Sequence, residues 1–281
     1  MSNKNKYNML LHEAIKEKNW DVLFANLNDE VAIENLFRIL DELEDCEADL
    51  FLVLVKKYIF ASPNDILALT SKLVKDKLAK LSENFDKVVV LPLKESSSDA
   101  LKSGSYVAYA VGYALKRALG NSNKVSIKEN ITFLCKRHEE ERYRTLIVFA
   151  DDFVGSGNSV VKTYTDYSQN FERPNDEAVI FSTFVLSCGL ENVTSQGIDI
   201  IFDSVLLKGI SNAPEIHDKE NALNIMKGIS SRLSISRDYY LGFLNSEALF
   251  STANRSPNNT FPVFWCSRRK DRSEWPAPFP R

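Results

Sequence analysis

Asp151 and Asp152 stand side by side after a short run of apolar and β-branched residues, Thr145 to Ala150. Beyond Phe153 and Val154 comes Gly155-Ser156-Gly157-Asn158-Ser159, which combines permissive backbone with hydroxyl and amide side chains. Adjacent carboxylates can accept hydrogen bonds from vicinal hydroxyls and can lie beside a hard divalent cation. A glycine turn opening onto a helix N-terminus, at about Asn158, supplies N–H donors and a positive dipole end, which together suit a phosphate monoester. Ribose 5-phosphate carries both halves of that chemistry. The same residues also suit an ordinary strand-to-helix connection, because Asp and Ser cap helices and glycine turns chains. Taken alone, the segment supports both readings.

The elements that must position these groups can be read from pattern. Thr145 to Ala150 is too short for a core helix and suits a strand buried on both faces of a parallel sheet, with the acids at its end. Asp86 to Leu93 reads as an earlier strand with Val88 to Leu91 as its apolar run. Lys94 to Ser103 follows as a polar loop, then Gly104 to Leu119 as a helix whose Ala108, Ala110, Gly112 and Ala114 permit close approach to a sheet. Within that loop, Lys94, Glu95, Ser96, Ser97 and Ser98 can cradle a second phosphate, with Lys94 as the cation; composition alone favours an exposed loop. Ser126 to Glu129 matches a capping box, and Ile127, Ile131, Leu134 and His138 share a face, so a helix to about Arg142 is expected, against a strand at Ile131 to Cys135. Lys136, Arg137, Arg142 and Arg144 precede the motif strand and can lend it positive charge, although solvation accounts for most of them.

After the motif, a helix over Ser159 to Phe171, a strand over Ala178 to Ser187, a short helix over Leu190 to Gln196 and a strand over Ile198 to Leu207 are expected. This alternation predicts an α/β fold with a mainly parallel sheet flanked by helices, right-handed crossovers, and ligands at the carboxyl ends of the strands. Tyr7 to Ser82 is helical in pattern, with helices over Asp29 to Glu44 and Leu50 to Phe60, and with Ser62 as N-cap and Pro63 as first residue of a further helix. The expected division is therefore an N-terminal helical region, residues 1–84, and an α/β domain, residues 85–281, ending in a hood and tail.

The last third suggests a helix over Asp218 to Ser231 and a strand over Glu247 to Thr252. Ser256 to Trp265, SPNNTFPVFW, offers Asn258, Asn259 and Phe261 as candidate contacts to a nucleobase; composition favours a rigid, aromatic-packed loop. Arg268, Arg269, Lys270 and Arg272 form a basic cluster ahead of Trp275 and Phe279. Interleaved basic and aromatic residues can bind nucleic acid. Here a chain end docked through Trp275 and Phe279 is the better expectation, and direct nucleic-acid binding is not expected.

With 281 residues, 44% hydrophobic, 26% charged and a net charge of -3, the chain can bury a sizeable core and has no global pull toward nucleic acid or anionic membrane. Four scattered cysteines and three histidines show no paired spacing, which argues against a zinc site or a disulfide framework and suits a reducing cytoplasm. No apolar run approaches the ~20 residues needed to span a bilayer, so no membrane association is expected.

At Ala150 to Ser159 (ADDFVGSGNS) the chain resembles the type I phosphoribosyltransferases, and within them the phosphoribosyltransferase-like proteins of bacterial conflict systems, including retron-associated anti-phage effectors. Asp86 to Gly104 and Ser256 to Trp265 extend the likeness. The resemblance implies that Asp151 and Asp152 hold the ribose and a magnesium ion, directly or through water. It further implies that Gly155 to Ser159 hold the 5-phosphate and that Lys94 to Ser98 hold the pyrophosphate of PRPP or a related nucleotide. The activity implied is pentosyl transfer or N-glycosidic cleavage at the anomeric carbon, with other subunits of a defence complex, a reverse transcriptase and its nucleic acid, as partners. Gly-Ser-Gly-Asn-Ser stands where housekeeping enzymes usually show Thr-Thr-Gly-Gly-Thr. That departure supports an alternative: an inactive nucleotide-binding sensor or regulatory subunit using the same pocket.

Overall fold

A computed structural model describes residues 3–94, 103–136 and 143–281. The chain divides into two compact units, one of Met1–Ala61 with Leu207–Arg281 and one of Ser62–Leu206. The first begins with four helices, α1 (Asn3–Glu17), α2 (Trp20–Asn26), α3 (Val31–Glu42) and α4 (Asp45–Lys57). Helix α4 starts five residues before the expected Leu50, because Glu44 and Glu47 cap it reciprocally within the acidic junction. It also ends early. Ile59–Ala61 forms a strand, β1, whose partner is distant in sequence and so invisible to local pattern.

The second unit opens with α5 (Pro63–Leu73), capped as expected by Ser62, whose hydroxyl accepts from the Asp65 N–H at 3.2 Å. A π-turn (Val74–Leu78) carries it into α6 (Ala79–Ser82). Then follow β2 (Lys87–Pro92), α7 (Ser103–Leu119), β3 (Val125–Ile127), β4 (Thr145–Val154), α8 (Asn158–Asn170), β5 (Asp176–Leu186), α9 (Ser187–Ser195) and β6 (Ile200–Leu206). The five strands β2 to β6 form one sheet of order β3-β2-β4-β5-β6, every pairing parallel. The α/β architecture expected from the alternation is present.

The helix expected from Ser126 is not. Ser126 lies within β3, which pairs with β2 through Val88↔Val125 and Val90↔Ile127, and the 3-10 turn at Ile131–Lys136 is initiated instead by Asn130, whose side chain accepts from the Thr132 N–H at 3.1 Å. Strand pairing outweighs a local capping pattern here; His138, Arg137 and Arg142 lie outside the described residues. The domain boundary expected after residue 84 falls inside the second unit, because α5 and α6 pack against α7, and α5 also against β5 and β6.

Both faces of the sheet are covered. Val89 and Leu91 of β2, Ile147 and Phe149 of β4 and Ile180 of β5 form one core with Val160 and Tyr167 of α8 and Val193 of α9. The intervening Val88, Val90, Leu146 and Val148 are equally buried and, by strand alternation, face the other side, where α7 lies on β2 and β4. Close approach of α7 uses Gly112: a Cβ there would be 2.3 Å from Cγ1 of Ile127.

The chain then returns to the first unit through α10 (Lys219–Ser231), N-capped by Asp218, and β7 (Phe250–Thr252), which pairs in parallel with β1. Buried Glu247 accepts from the N–H groups of Ile210 (3.1 Å) and Ser211 (2.7 Å) and from the Ser211 hydroxyl (2.6 Å), which replaces its lost hydration. The tail docks as expected. Trp275 is 1% exposed with its indole N–H on the Val263 carbonyl at 2.9 Å, and Phe279 packs against Trp20, Phe24, Tyr58 and Phe60.

Candidate ribose-phosphate site

Strand β4 does not end at Ala150. Its ladder with β5 continues through Asp151↔Ser182, Phe153↔Phe184 and Val154↔Val185, so both acids lie within the strand's last turn of pleat. Ile147 and Phe149 share a core with Val154, which is an odd number of residues further on, and in β5 the same holds for Ile180 and Val185. Side-chain alternation therefore slips by one in both strands together while the register is kept. Two fully buried hydroxyls support the slip: Thr183 donates to the Asp152 carbonyl at 2.6 Å and Ser182 to the Phe184 carbonyl at 2.8 Å. Both bonds go to backbone carbonyls inside the sheet, where buried polar groups are paired.

The two acids are not equivalent. Asp152 is 8% exposed, whereas Asp151 is half-buried and accepts the Asp152 N–H on Oδ1 at 3.0 Å. The α7 N-terminus reaches this point through Gly104, where a Cβ would be 2.9 Å from the Ala150 carbonyl and 3.3 Å from Asp151 Oδ1. Asp151 and Asp152 supply hard oxygen donors of the kind magnesium uses. Among the described residues no group of three His, Cys, Asp or Glu gathers to cage a metal.

Gly157 follows with φ of 79° and acts as N-cap of α8, whose first bond runs from the Val161 N–H to the Gly157 carbonyl at 3.0 Å. That conformation is cheap only for glycine. The Ser156 hydroxyl accepts from the Asn158 N–H at a long 3.4 Å, while the N–H groups of Gly157, Ser159 and Val160 have no acceptor among the described residues. Helix α9 packs on this turn, with Gly189 opposite Gly155 and with the Asn192 side chain donating to the Ser156 carbonyl at 2.9 Å and to Asn158 Oδ1 at 3.1 Å.

The strand order places this turn where ligands collect. From β2 the chain moves outward to β3, then returns to β4 on the other side of β2, so the switch point lies between the carboxyl ends of β2 and β4. The Leu93 N–H donates to the Ala150 carbonyl at 2.8 Å, and half-buried Lys94 comes one residue later, at the same sheet edge as the acids. Glu95, Ser96, Ser97 and Ser98 lie outside the described residues. Arg144 is at the opposite, amino end of β4, about 20 Å away at strand rise, where it pairs with Glu177 at 3.2 Å and lies over Phe85. It does not serve the acids.

Asn258, Asn259 and Phe261 belong to the other unit. Phe261 is fully buried in its core, and Asn259 is 7% exposed with its amide on the Ser246 hydroxyl at 3.2 Å; Asn258 alone of the three is half-exposed. In this arrangement the segment is a packed loop. Sequence reading missed Gly104, Ser182, Thr183, Gly189 and Asn192. Only the Ser182-Thr183 pair left a signal, as two hydroxyls inside an otherwise apolar strand.

Fold and site together define an α/β protein with two acids and a glycine turn, opening onto a helix N-terminus, beside the switch point of a parallel sheet. Residues 37–281 match the PRTase-CE family model, and the chain belongs to that phosphoribosyltransferase-like family. Comparison with curated protein sequences yields no match. Similar solved structures include hypoxanthine-guanine phosphoribosyltransferase from Schistosoma mansoni in complex with IMP, at 14% identity over 51% of this chain and 64% of that one, with a TM-score of 0.33. The xanthine-guanine-hypoxanthine enzyme of Helicobacter pylori matches at 16% identity over 53% of this chain and 88% of its own, TM-score 0.33. Orotate phosphoribosyltransferase from Mycobacterium tuberculosis H37Rv, in complex with inorganic phosphate, matches at 18% over 50% and 69%, TM-score 0.30. This chain thus spans 64% of the first of them, and the family assignment rests on the family model.

Proposed function

We propose that the carboxyl edge of the sheet binds a ribose 5-phosphate compound, PRPP or a nucleotide, and that the chain is a phosphoribosyltransferase-type enzyme making or breaking a bond at the anomeric carbon. The observation that carries this reading is the continuous run from β4 to α8. Two carboxylates are followed, after two residues, by a turn whose Gly157 has φ of 79° and which opens onto a helix N-terminus. In this reading Asp151 and Asp152 hold the ribose hydroxyls, Gly155 to Ser159 the 5-phosphate, and Lys94 with Ser96 to Ser98 a pyrophosphate. A reaction at the anomeric carbon passes through an oxocarbenium-like state, so the chain's contribution is positioning and charge stabilisation. Bound Mg2+ would neutralise pyrophosphate charge, with Asp151 and Asp152 as its protein ligands, directly or through water.

The resemblance at Ala150 to Ser159 supports a further placing of the chain: an effector of a bacterial anti-phage system of retron type, acting on nucleotides in the cytoplasm beside a reverse transcriptase and its nucleic acid. No described helix is long and apolar enough to cross a membrane. A second reading, nucleotide binding without turnover, is favoured by the Ser156 hydroxyl, which lets the turn satisfy its own Asn158 N–H. Incubating the purified chain with PRPP, NAD and nucleotides plus Mg2+ separates the two. Released base or pyrophosphate is expected; binding without release supports the sensor, and no binding overturns both.

A further inference from the structure

Resting on the ribose 5-phosphate reading, we infer that Asn192 is a positioning residue of the phosphate turn and sets the site's preference for ligands that carry the phosphate. Asn192 lies on α9, and its amide nitrogen bonds to the residues on either side of Gly157: the Ser156 carbonyl at 2.9 Å and Asn158 Oδ1 at 3.1 Å. In a trans peptide the carbonyl of one residue and the N–H of the next point in opposite directions. Holding the Ser156 carbonyl toward α9 therefore directs the Gly157 N–H away from α9. The second bond acts in the same sense, since fixing Asn158 Oδ1 against Asn192 turns the Asn158 side-chain amide N–H groups to the other side. Two donors are thus presented on the face of the turn that α9 leaves open.

The backbone of the turn is set against α9 so closely that little else fits. A Cβ on Gly189 would be 2.0 Å from the Gly155 carbonyl oxygen, and one on Gly157 would be 2.9 Å from the Gly189 carbonyl oxygen and 3.2 Å from Asn192 Nδ2. Glycine on both sides permits the contact, and Asn192 supplies its polarity. Without it, the Ser156 carbonyl loses the bond that holds it toward α9, and a tilt of the Ser156–Gly157 peptide would turn the Gly157 N–H away from the ligand and the carbonyl oxygen, which repels an anion, toward it. A phosphate-bearing ligand senses that rotation directly.

The test is a calorimetric titration of wild type, Asn192→Leu and Asn192→Asp with ribose 5-phosphate and with inorganic phosphate, at a temperature where circular dichroism shows each folded. Asn192→Leu keeps the bulk without the donors; Asn192→Asp keeps the shape, so one variant remains if the other does not fold. Both should weaken the two probes by about tenfold or more, as expected from two lost hydrogen bonds. In 15N-labelled wild type the Gly157 amide resonance should move on phosphate addition, and in the variants it should not, which a general loss of stability would not produce. Wild-type binding with equal affinity and the same Gly157 response in both variants overturns this inference alone. Absence of phosphate and ribose 5-phosphate binding in the wild type overturns the site reading and this inference with it.

Discussion

Gly157 faces the carbonyl of Gly189 so closely that a Cβ on Gly157 would lie 2.9 Å from that oxygen, and its φ of 79° already excludes most side chains. Gly157→Val should therefore cost more than the ~1 to 2 kcal/mol of a left-handed non-glycine residue. Gly197, with φ of 71° and nothing within 4 Å of a Cβ, is the control for backbone strain alone. Chemical denaturation should show Gly197→Val as the milder change, and only Gly157→Val should abolish phosphate binding.

The Thr183 hydroxyl donates to the Asp152 carbonyl at 2.6 Å inside the sheet. Thr183→Val keeps the shape and removes that buried hydrogen bond, which should cost about 0.5 to 1.5 kcal/mol. Because the acceptor belongs to a proposed ribose ligand, affinity for ribose 5-phosphate should fall too. Unchanged stability and affinity would remove Thr183 from the site's support.

Much of this was legible in the chain. Runs such as Val88 to Leu91 and Thr145 to Ala150 are buried on both faces and declare themselves, and Ser62-Pro63 marks a helix start by local chemistry alone. Strand β1 and the 126–136 segment were not, because Ile59–Ala61 and Val125–Ile127 are strands only by virtue of partners supplied from elsewhere in the chain. At the site, Asp151 and Gly157 carry their chemistry in their residue types. Asn192 and Gly189 do not: their role exists only once α9 packs on the turn, more than thirty residues later in sequence.

Trp275 anchors the tail, and Trp275→Ala should destabilise by about 3 to 5 kcal/mol. Replacing Arg268, Arg269, Lys270 and Arg272 by Ser should cost less, since the partly exposed Arg269–Glu42 ion pair and the Arg269 contact over Trp275 are the main interactions at risk. Wild-type chain should bind RNA and single-stranded DNA only weakly. Tight, steeply salt-dependent binding that the four-Ser variant loses would contradict this.

Asp203 is held below the ordinary carboxylate range, first by the hydrogen bond from Lys72 at 2.8 Å and next by that from Ser204. A lowered folded pKa contributes stability above the unfolded value of ~3.9, which is lost as pH falls through the folded value. The urea midpoints of wild type and Asp203→Asn should differ at pH 7 and converge below about pH 4. A gap that widens on acidification would contradict the assignment.

The central claim is tested most directly at the two acids. Isothermal titration of ribose 5-phosphate, with Mg2+ present, into wild type, Asp151→Asn and Asp152→Asn should give measurable binding in the first. Each variant should lose about 1.5 to 3 kcal/mol, the worth of one hydrogen bond to a charged group. Equal affinity in all three proteins, or no binding by the wild type, would contradict it.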